Sequence, residues 1–342
     1  MKNSLISIQL LRAIAALSVV YVHCTHEKGY YHLPSFGHFG VDIFFVISGF
    51  IIAYMVSKNT DHFLIKRIIR IVPLYLLITV AITLAAMDPP NLVNKTINVS
   101  DFIRSILFIP PEPENRGSPI IGQGWTLNYE MFFYAIMSLC IIFTKKYPAI
   151  ACLSILALII IGLNLLNPAN YIIAYYKNSI SLEFIYGIAL YHFHRYANMS
   201  KISLNKTAKV ISLLSLAIIS YGFLAFNDFA KFVSNKEYIF DGIPALILVA
   251  SILFLEENIK PTRIIQFGVK LGEASYAMYL IHFLMVNFLG KGLNKIMGAN
   301  GIFAIELIKV IIAFAITIFF SIMIHRFIDS PIQNYFRNKL RN

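Results

Sequence analysis

Ten apolar segments, each about as long as a membrane-crossing helix, constrain this 342-residue chain more than any other feature. A helix needs about 20 mostly apolar residues to span the hydrocarbon core of a bilayer. Backbone polar groups must pair within the structure there. The segments lie near 5–24, 38–57, 68–87, 125–143, 149–166, 179–196, 208–227, 239–255, 273–290 and 302–325. The sequence therefore predicts an all-α, polytopic integral membrane bundle of about ten transmembrane helices.

The chain shows no sign of a separate soluble domain. Its charged fraction is 13%, about half of the roughly 25% usual in soluble domains. The longest polar segment, 88–124, is a loop rich in Pro, Asn and Glu. Within it, residues 101–109 are expected to form a short amphipathic helix at the membrane surface. We therefore expect one membrane-embedded domain over 1–342 with no appended soluble domain.

The first apolar segment is expected to remain in the protein. It contains Arg12, approaches full spanning length and lacks the small-residue exit of a cleavable signal peptide. The three cysteines lie in or at the end of apolar segments without metal-binding or disulfide spacing, so no metal site is expected. They are Cys24, Cys140 and Cys152.

The net charge of +12 is explained by topology. If the N-terminus is cytoplasmic, 18 of the 29 Lys and Arg residues lie in segments on that side and nine on the other. The remaining two, Arg12 and Lys309, lie within spans. Because positive residues concentrate in cytoplasmic loops, both termini are predicted to be cytoplasmic. Nucleic acid is not an expected partner.

Arg12 and His23 lie in the same predicted span. Eleven residues at 100° each leave an offset of about 20°, so both side chains point from nearly one helix face, roughly 16 Å apart along the axis. Ionisable groups inside a membrane are costly and usually mark a functional site. The alternative is that Arg12 snorkels to the surface while His23 is an interfacial residue.

Other spans also carry polar residues. The segment "HFGVDIFFVISGFII" places Asp42 near the outer end of the second span, at the depth of His23. The segment "KRIIRIVPLY" places Arg67 and Arg70 at the cytoplasmic start of the third. These arginines could alternatively be topological anchors.

The later spans continue this pattern. "GQGWTLNYEMFFY" carries Trp125 and Glu130 into the fourth span, although a lone Trp is also common at a membrane interface. In "LGEASYAMYLIH", one helix face carries Ser275, Tyr279 and His282, which could also bond between helices. "HRFIDSPIQNYFRN" ends the last span with Asp329. Separately, Glu306 and Lys309 are expected to pair with each other.

Taken in order, these segments resemble the acyltransferase-3 family of bacterial integral membrane O-acyltransferases, particularly its exopolysaccharide and O-antigen O-acetylase branch. The resemblance covers nearly the whole chain. It rests on a basic residue eleven positions before His, FFVISGF, R-x-x-R-I-x-P-x-Y, W-T-L-x-x-E-x-x-F-Y, S-Y-x-x-Y-L-x-H, and an acidic residue two before Pro. One departure is that the family more often has Glu where Asp329 stands.

The resemblance implies an acetyl-CoA donor, a catalytic role for His23, and a glycan acceptor, lipid-linked or free, across a bacterial inner membrane. His23 would act as general base or acyl carrier, with Asp42 or Glu130 orienting its ring. The residues assigned to donor binding are Arg12, Arg67, Arg70, Ser275, Tyr279, His282 and Asp329. Trp125 is assigned to substrate binding.

Two other functional classes compete with this reading. A transporter or flippase for a lipid-linked or acidic substrate would also bury Arg, His and carboxylates. Such proteins usually show repeated halves with broken helices near the membrane centre, and the sequence shows no repeat. A non-enzymatic scaffold gives no reason for ionisable groups within spans. The sequence therefore favours an acyltransferase, with a transporter as the alternative.

Overall fold

The computed structural model describes residues 5–26, 33–87, 97–112, 118–199, 206–230, 237–298 and 302–340. Every regular element in these ranges is a helix. The α-helices are α1 (Ile6–His26), α2 (Gly40–Lys58), α3 (Phe63–Met87), α4 (Val99–Ile106), α5 (Trp125–Phe143), α6 (Pro148–Leu166), α7 (Tyr171–Tyr175), α8 (Ser181–Met199), α9 (Lys206–Ala230), α10 (Glu237–Phe240), α11 (Gly242–Phe254), α12 (Arg263–Met297), α13 (Phe303–Ile324) and α14 (Ser330–Lys339). A π-helical turn, His325–Asp329, joins the last two.

Each of the ten predicted segments coincides with a helix, which confirms a polytopic helical membrane protein. Within the described ranges, seven helical segments are long and apolar enough to cross a membrane: Ile6–Thr25, Gly40–Lys58, Phe63–Ala86, Gly122–Phe143, Pro148–Leu166, Thr207–Asp228 and Phe303–Lys339. The other three predicted segments correspond to α8, α11 and α12. Helix α11 has only 13 residues, and the other two are less apolar. Helix α4 is the predicted short amphipathic helix.

Helix α1 is held closely between α12 and α2. A Cβ atom added at Gly272 of α12 would lie 2.0 Å from the carbonyl oxygen of Gln9. One added at Gly40 of α2 would lie 2.4 Å from the carbonyl oxygen of Ala15. Small residues let membrane helices approach until their backbones touch. These two contacts therefore determine how α1 is placed along both neighbours.

Helices α2 and α8 cross at a pair of glycines. A Cβ atom at Gly49 would lie 2.2 Å from the carbonyl oxygen of Phe184, and one at Gly187 would lie 2.1 Å from that of Val46. Because the obstructing atoms belong to the backbone, a side-chain movement cannot relieve either clash. The crossing holds α2, which carries Asp42, closely against α8.

Gly49→Ala is expected to lower the melting temperature of the purified protein. The added methyl group must separate α2 from α8, and overpacking of this kind costs about 1–3 kcal/mol. Gly162→Ala is the matched control, since Gly162 also lies within a helix but has no atom within 4 Å of the added carbon. Thermal unfolding in detergent, followed by circular dichroism, compares them. Equal melting temperatures for the two variants would contradict the tight crossing.

The N-terminal end of α1 is capped from a distant part of the chain. The backbone N–H groups of Ile6 and Ser7 donate to the Glu256 carboxylate, at 2.8 and 2.7 Å. A carboxylate at this position pairs two N–H groups that lack helical partners and complements the helix dipole. The cap anchors α1, which bears both Arg12 and His23.

The predicted pair between Glu306 and Lys309 is confirmed. Lys309 Nζ lies 2.9 Å from Glu306 Oε1, and both side chains are buried. The same ammonium group donates to Asn294 Oδ1 at 2.9 Å and to the Gly298 carbonyl at 2.6 Å. A buried charge needs this degree of hydrogen bonding to offset its lost hydration. The bonds from Lys309 to Asn294 and Gly298 join α13 to the C-terminal end of α12.

Candidate functional site

Three arginines from two helices gather at one end of the bundle, which we call the basic end: Arg12 of α1 and Arg67 and Arg70 of α3. Arg12 interacts electrostatically with Arg70 and with the carboxylates of Glu130 and Asp329. Glu130 in turn interacts with Arg67 and Arg70. Among the described residues, however, no carboxylate lies within 4.0 Å of any of these guanidinium groups.

The guanidinium groups of the basic end make few hydrogen bonds within the described ranges. Arg12 donates to Gln9 Oε1 at 3.4 Å, and Arg70 donates to Gln333 Oε1 at 3.3 Å. Arg67 contacts the sulfur of Met55 at 2.9 Å, and its buried Nε has no partner there. Each guanidinium carries five N–H donors. The basic end therefore retains the hydrogen-bonding capacity to bind an anion such as a phosphate.

Glu130 lies away from the level of Asp42. Its carboxylate accepts hydrogen bonds from Tyr134 and from Ser48 Oγ, the latter at 3.3 Å. Ser48 follows Asp42 by six residues on α2, a rise of about 9 Å. Glu130 is therefore associated with the arginines, whereas Asp42 lies near the N-terminal end of α2.

Asp329 reaches the basic end through a glutamine. Its carboxylate lies 2.9 Å from His325 Nδ1 and accepts from Gln333 Nε2 at 2.6 Å. The same Gln333 accepts from Arg70. Asp329 closes the π-helical turn, and such turns occur frequently at functional sites. The turn brings this carboxylate to the arginine of α3.

Three histidines meet at the other end of α1, which we call the histidine end. The ring centroid of His23 lies 4.9 Å from that of His282, 6.1 Å from that of His38, and 5.8 Å from that of Phe283. His282 was expected among the donor-binding residues of α12. The structure places it directly against His23, because α1 packs along α12.

His282 is completely buried and held by both ring nitrogens. Its Nδ1 lies 2.7 Å from the carbonyl oxygen of Tyr279, and its Nε2 lies 3.3 Å from Gln123 Nε2. Since a carbonyl accepts and an amide NH₂ donates, these contacts assign the proton to Nδ1. The Tyr279 hydroxyl also lies 3.0 Å from Thr126 Oγ1. The start of α5 thus contributes polar groups to the histidine end.

Between the two ends, α12 presents the predicted polar face. Ser275 precedes His282 by seven residues, about 10 Å along the helix. Its side chain is completely buried, and its Oγ has no partner within the described ranges. Tyr276 donates to the carbonyl oxygen of Ile71 at 2.7 Å, which attaches α12 to the arginine-bearing helix α3. Polar groups therefore occur on α12 between the basic end and the histidine end.

The sequence assigns no role to His38 and gives no signal for Asp228, but the structure pairs them. The Asp228 carboxylate accepts from the backbone N–H groups of Gly37 and His38, at 2.6 and 2.7 Å, and lies 3.0 Å from His38 Nδ1. These residues are about 190 positions apart. Asp42 comes four residues after His38 and is buried in the first turn of α2.

Trp125 begins α5 and lines an open cleft with Tyr129 and Tyr175. The cleft lies beside the turn that contains Gln123, the residue that contacts His282. Trp125 is therefore close in sequence and structure to the histidine end. Within the described ranges, no group of three His, Cys, Asp or Glu side chains is arranged to hold a metal ion.

The sequence was compared with known proteins. The family model described as an acyltransferase domain matches residues 5–326. The "Exopolysaccharide production protein ExoZ" of Rhizobium meliloti is 30% identical over 279 residues, covering 79% of this chain and 82% of that protein. The "Peptidoglycan O-acetyltransferase OatA" of Listeria monocytogenes is 25% identical over 381 residues, covering 97% of this chain.

The chain spans 57% of the length of the Listeria protein. No solved structure matches the present chain significantly. The family match extends over nearly all of the helical bundle, including both the basic end and the histidine end. The chain is therefore a multi-pass membrane protein that belongs to the acyltransferase family.

Proposed function

We propose that this protein is an O-acetyltransferase that takes an acetyl group from cytoplasmic acetyl-CoA and transfers it to a hydroxyl group of an exported or cell-surface glycan. The observation that carries the proposal is the arrangement of α1, with Arg12 among arginines at one end and His23 among histidines at the other. Membership of the acyltransferase family supports the type of reaction. The names of the two relatives support a polysaccharide or peptidoglycan acceptor.

The basic end suits the nucleotide part of the donor. Coenzyme A combines anionic phosphates with an extended pantetheine arm, and guanidinium groups bind phosphate through two parallel hydrogen bonds. With the phosphates on Arg67 and Arg70, the arm would run along α1 and α12 for roughly 16 Å, past Ser275, toward His23. The excess of positive charge in the predicted cytoplasmic segments supports a cytoplasmic basic end and cytoplasmic termini in a bacterial inner membrane.

The histidine end supplies the acid–base chemistry. A neutral imidazole nitrogen can accept a proton and return it, so His23 takes the proton of a sugar hydroxyl as the hydroxyl oxygen attacks the thioester carbonyl carbon. The carbon–sulfur bond breaks, and the departing thiolate receives the proton from His23. Asp42 orients the ring, since Glu130 lies about two turns deeper beside Ser48. A two-step route with an acetyl-His23 intermediate would use the same residues.

The test is the acetyl content of the cell's own polysaccharide. Cells with the intact gene and cells with a deletion are compared by proton NMR of surface and secreted polysaccharide, before and after mild alkali. We expect an alkali-labile acetyl signal only with the intact gene. An unchanged signal with a changed amount of polymer would instead favour the transporter or flippase.

Replacement of Asp329 should weaken use of the donor, and the effect should be larger when the negative charge is lost. Asp329 holds Gln333, which accepts from Arg70, so Asp329→Ala should raise the KM for acetyl-CoA several-fold. Asp329→Glu keeps the charge and should have a smaller effect. The exposed neighbour Asn334, changed to Ala, is the control. Equal effects of the two Asp329 variants would mean that the site requires the shorter carboxylate.

A further inference from the structure

The cleft beside Trp125 has walls of fixed shape. It has a volume of about 360 Å³ and is lined by Trp125, Tyr129, Ala174, Tyr175, Lys177 and Asn178. The Tyr129 hydroxyl donates to the carbonyl oxygen of Tyr175 at 2.7 Å, and the Tyr175 hydroxyl donates to that of Trp125 at 3.0 Å. The Tyr129 and Tyr175 rings stack with centroids 4.7 Å apart. These contacts hold the two tyrosine side chains in place before any ligand arrives.

The rim of the cleft is polar and carries one positive charge. Lys177 Nζ donates to Asn167 Oδ1 at 2.8 Å. Among the described residues, no carboxylate pairs with this ammonium group. Tyr129 is almost completely buried behind Tyr175, so Trp125 and Tyr175 supply the accessible aromatic surface. An aromatic surface with a polar, cationic rim suits a ligand that has an apolar face and a polar edge. A sugar ring has both, in its C–H face and its hydroxyl groups.

The position of the cleft connects it to the histidine end. Trp125 comes two residues after Gln123, whose side-chain amide contacts His282, and the His282 ring lies against that of His23. Phe45 of α2 lies 6.5 Å from Trp125, measured between ring centroids, only three residues beyond Asp42. One ring of a glycan chain in the cleft would therefore leave a nearby ring within the region of His23.

We propose that this cleft binds one sugar ring of the acceptor glycan against Trp125 and Tyr175, and that Lys177 contacts an acidic group of the same glycan. The proposal rests on the proposed function and adds to it an acceptor class, an acidic polysaccharide. The volume lies within the range of small-ligand sites, about 300–1,000 Å³, that combine apolar walls with a few polar groups. A charge-assisted hydrogen bond from Lys177 would select for the acidic group.

The test uses the fluorescence of Trp125, which is the only tryptophan of the chain. The full protein in lipid nanodiscs is titrated with oligosaccharides from the producing cells' own surface polysaccharide, after mild alkali has removed its ester groups. We expect a saturable change in emission. Tyr175→Ala should raise the half-saturation concentration at least five-fold. Lys177→Gln should raise it several-fold and reduce its dependence on salt.

Matched controls replace the same residue types elsewhere. Tyr147→Ala removes an exposed tyrosine of the α5–α6 connection, and Lys295→Gln removes an exposed lysine near the end of α12. Both should bind the oligosaccharides as the intact protein does. Calorimetric titration with coenzyme A checks that each variant retains the donor site and is folded.

The outcomes separate the cleft from the proposed function. If the intact protein acetylates polysaccharide in cells but shows no saturable emission change, or if neither cleft variant differs from its control, the cleft proposal is overturned and the function stands. A response to added lipid alone, equal to that with oligosaccharide, would also overturn it. If polysaccharide from cells with the intact gene carries no acetyl group that depends on His23, the proposed function is contradicted instead.

Discussion

His23→Ala is expected to reduce acetyl transfer to the glycan by about 10²–10⁴-fold, the range that general-base catalysis contributes. No neighbouring group can substitute easily. His282 is fully buried with both ring nitrogens in contact with Tyr279 and Gln123. His38 is paired with Asp228. If His23 instead carries the acetyl group, the loss would be at least as large, because the intermediate could not form.

The measurement is transfer of radiolabelled acetyl from acetyl-CoA to alkali-treated polysaccharide by purified protein in nanodiscs. Coenzyme A binding should be unchanged, since the nucleotide would lie at the basic end. His62→Asn is the control histidine variant. His62 is exposed in the α2–α3 turn with φ near 52°, a conformation that Asn tolerates. Transfer by His23→Ala at the rate of the control would remove His23 from the chemistry.

The combined replacement Arg67→Gln and Arg70→Gln should raise the acetyl-CoA concentration needed for half-maximal rate by about 10²-fold or more. Each hydrogen bond to a charged group contributes about 1.5–3 kcal/mol, and 1.4 kcal/mol corresponds to a factor of ten. Within the described ranges, Arg67 contacts the sulfur of Met55 and its buried Nε has no partner. Replacing Arg67 would therefore remove mainly its contacts to the donor.

A second donor sharpens this experiment. Acetyl-pantetheine has the thioester and the arm but no nucleotide phosphates, so it should serve the intact protein and the double variant equally poorly. Arg326→Gln, at an exposed arginine three residues before Asp329, is the control for loss of a nearby charge. If the double variant needs no more acetyl-CoA than this control, Arg67 and Arg70 are topological anchors rather than phosphate ligands.

Helix positions and pairings within one helix were predictable from the chain. All ten apolar segments became helices, because length and apolar character are local properties that a bilayer requires of any spanning element. The pairing of Glu306 with Lys309 followed from their spacing of three residues. The shared face of Arg12 and His23 likewise follows from the helical repeat. None of these properties depends on the packing of one helix against another.

The candidate site shows where such reasoning ends. From the sequence, either Asp42 or Glu130 could stand beside His23, because both lie in the outer half of their spans. The structure associates Glu130 with Ser48, Tyr134 and the arginines, at a different level of α2. The contact between Ser48 and Glu130 depends on how α5 approaches α2, which the pattern within either segment does not encode.

The apolar runs and their spacing were enough to establish a helical membrane bundle with a basic and a histidine-bearing end, because these features arise within single segments. The contact of His23 with His282, the pairing of His38 with Asp228 and the cleft at Trp125 depend on how separate helices approach. Those approaches are determined by glycine contacts such as Gly272 against Gln9, where backbones meet directly. Contacts between residues so distant in sequence are visible only once the helices have packed.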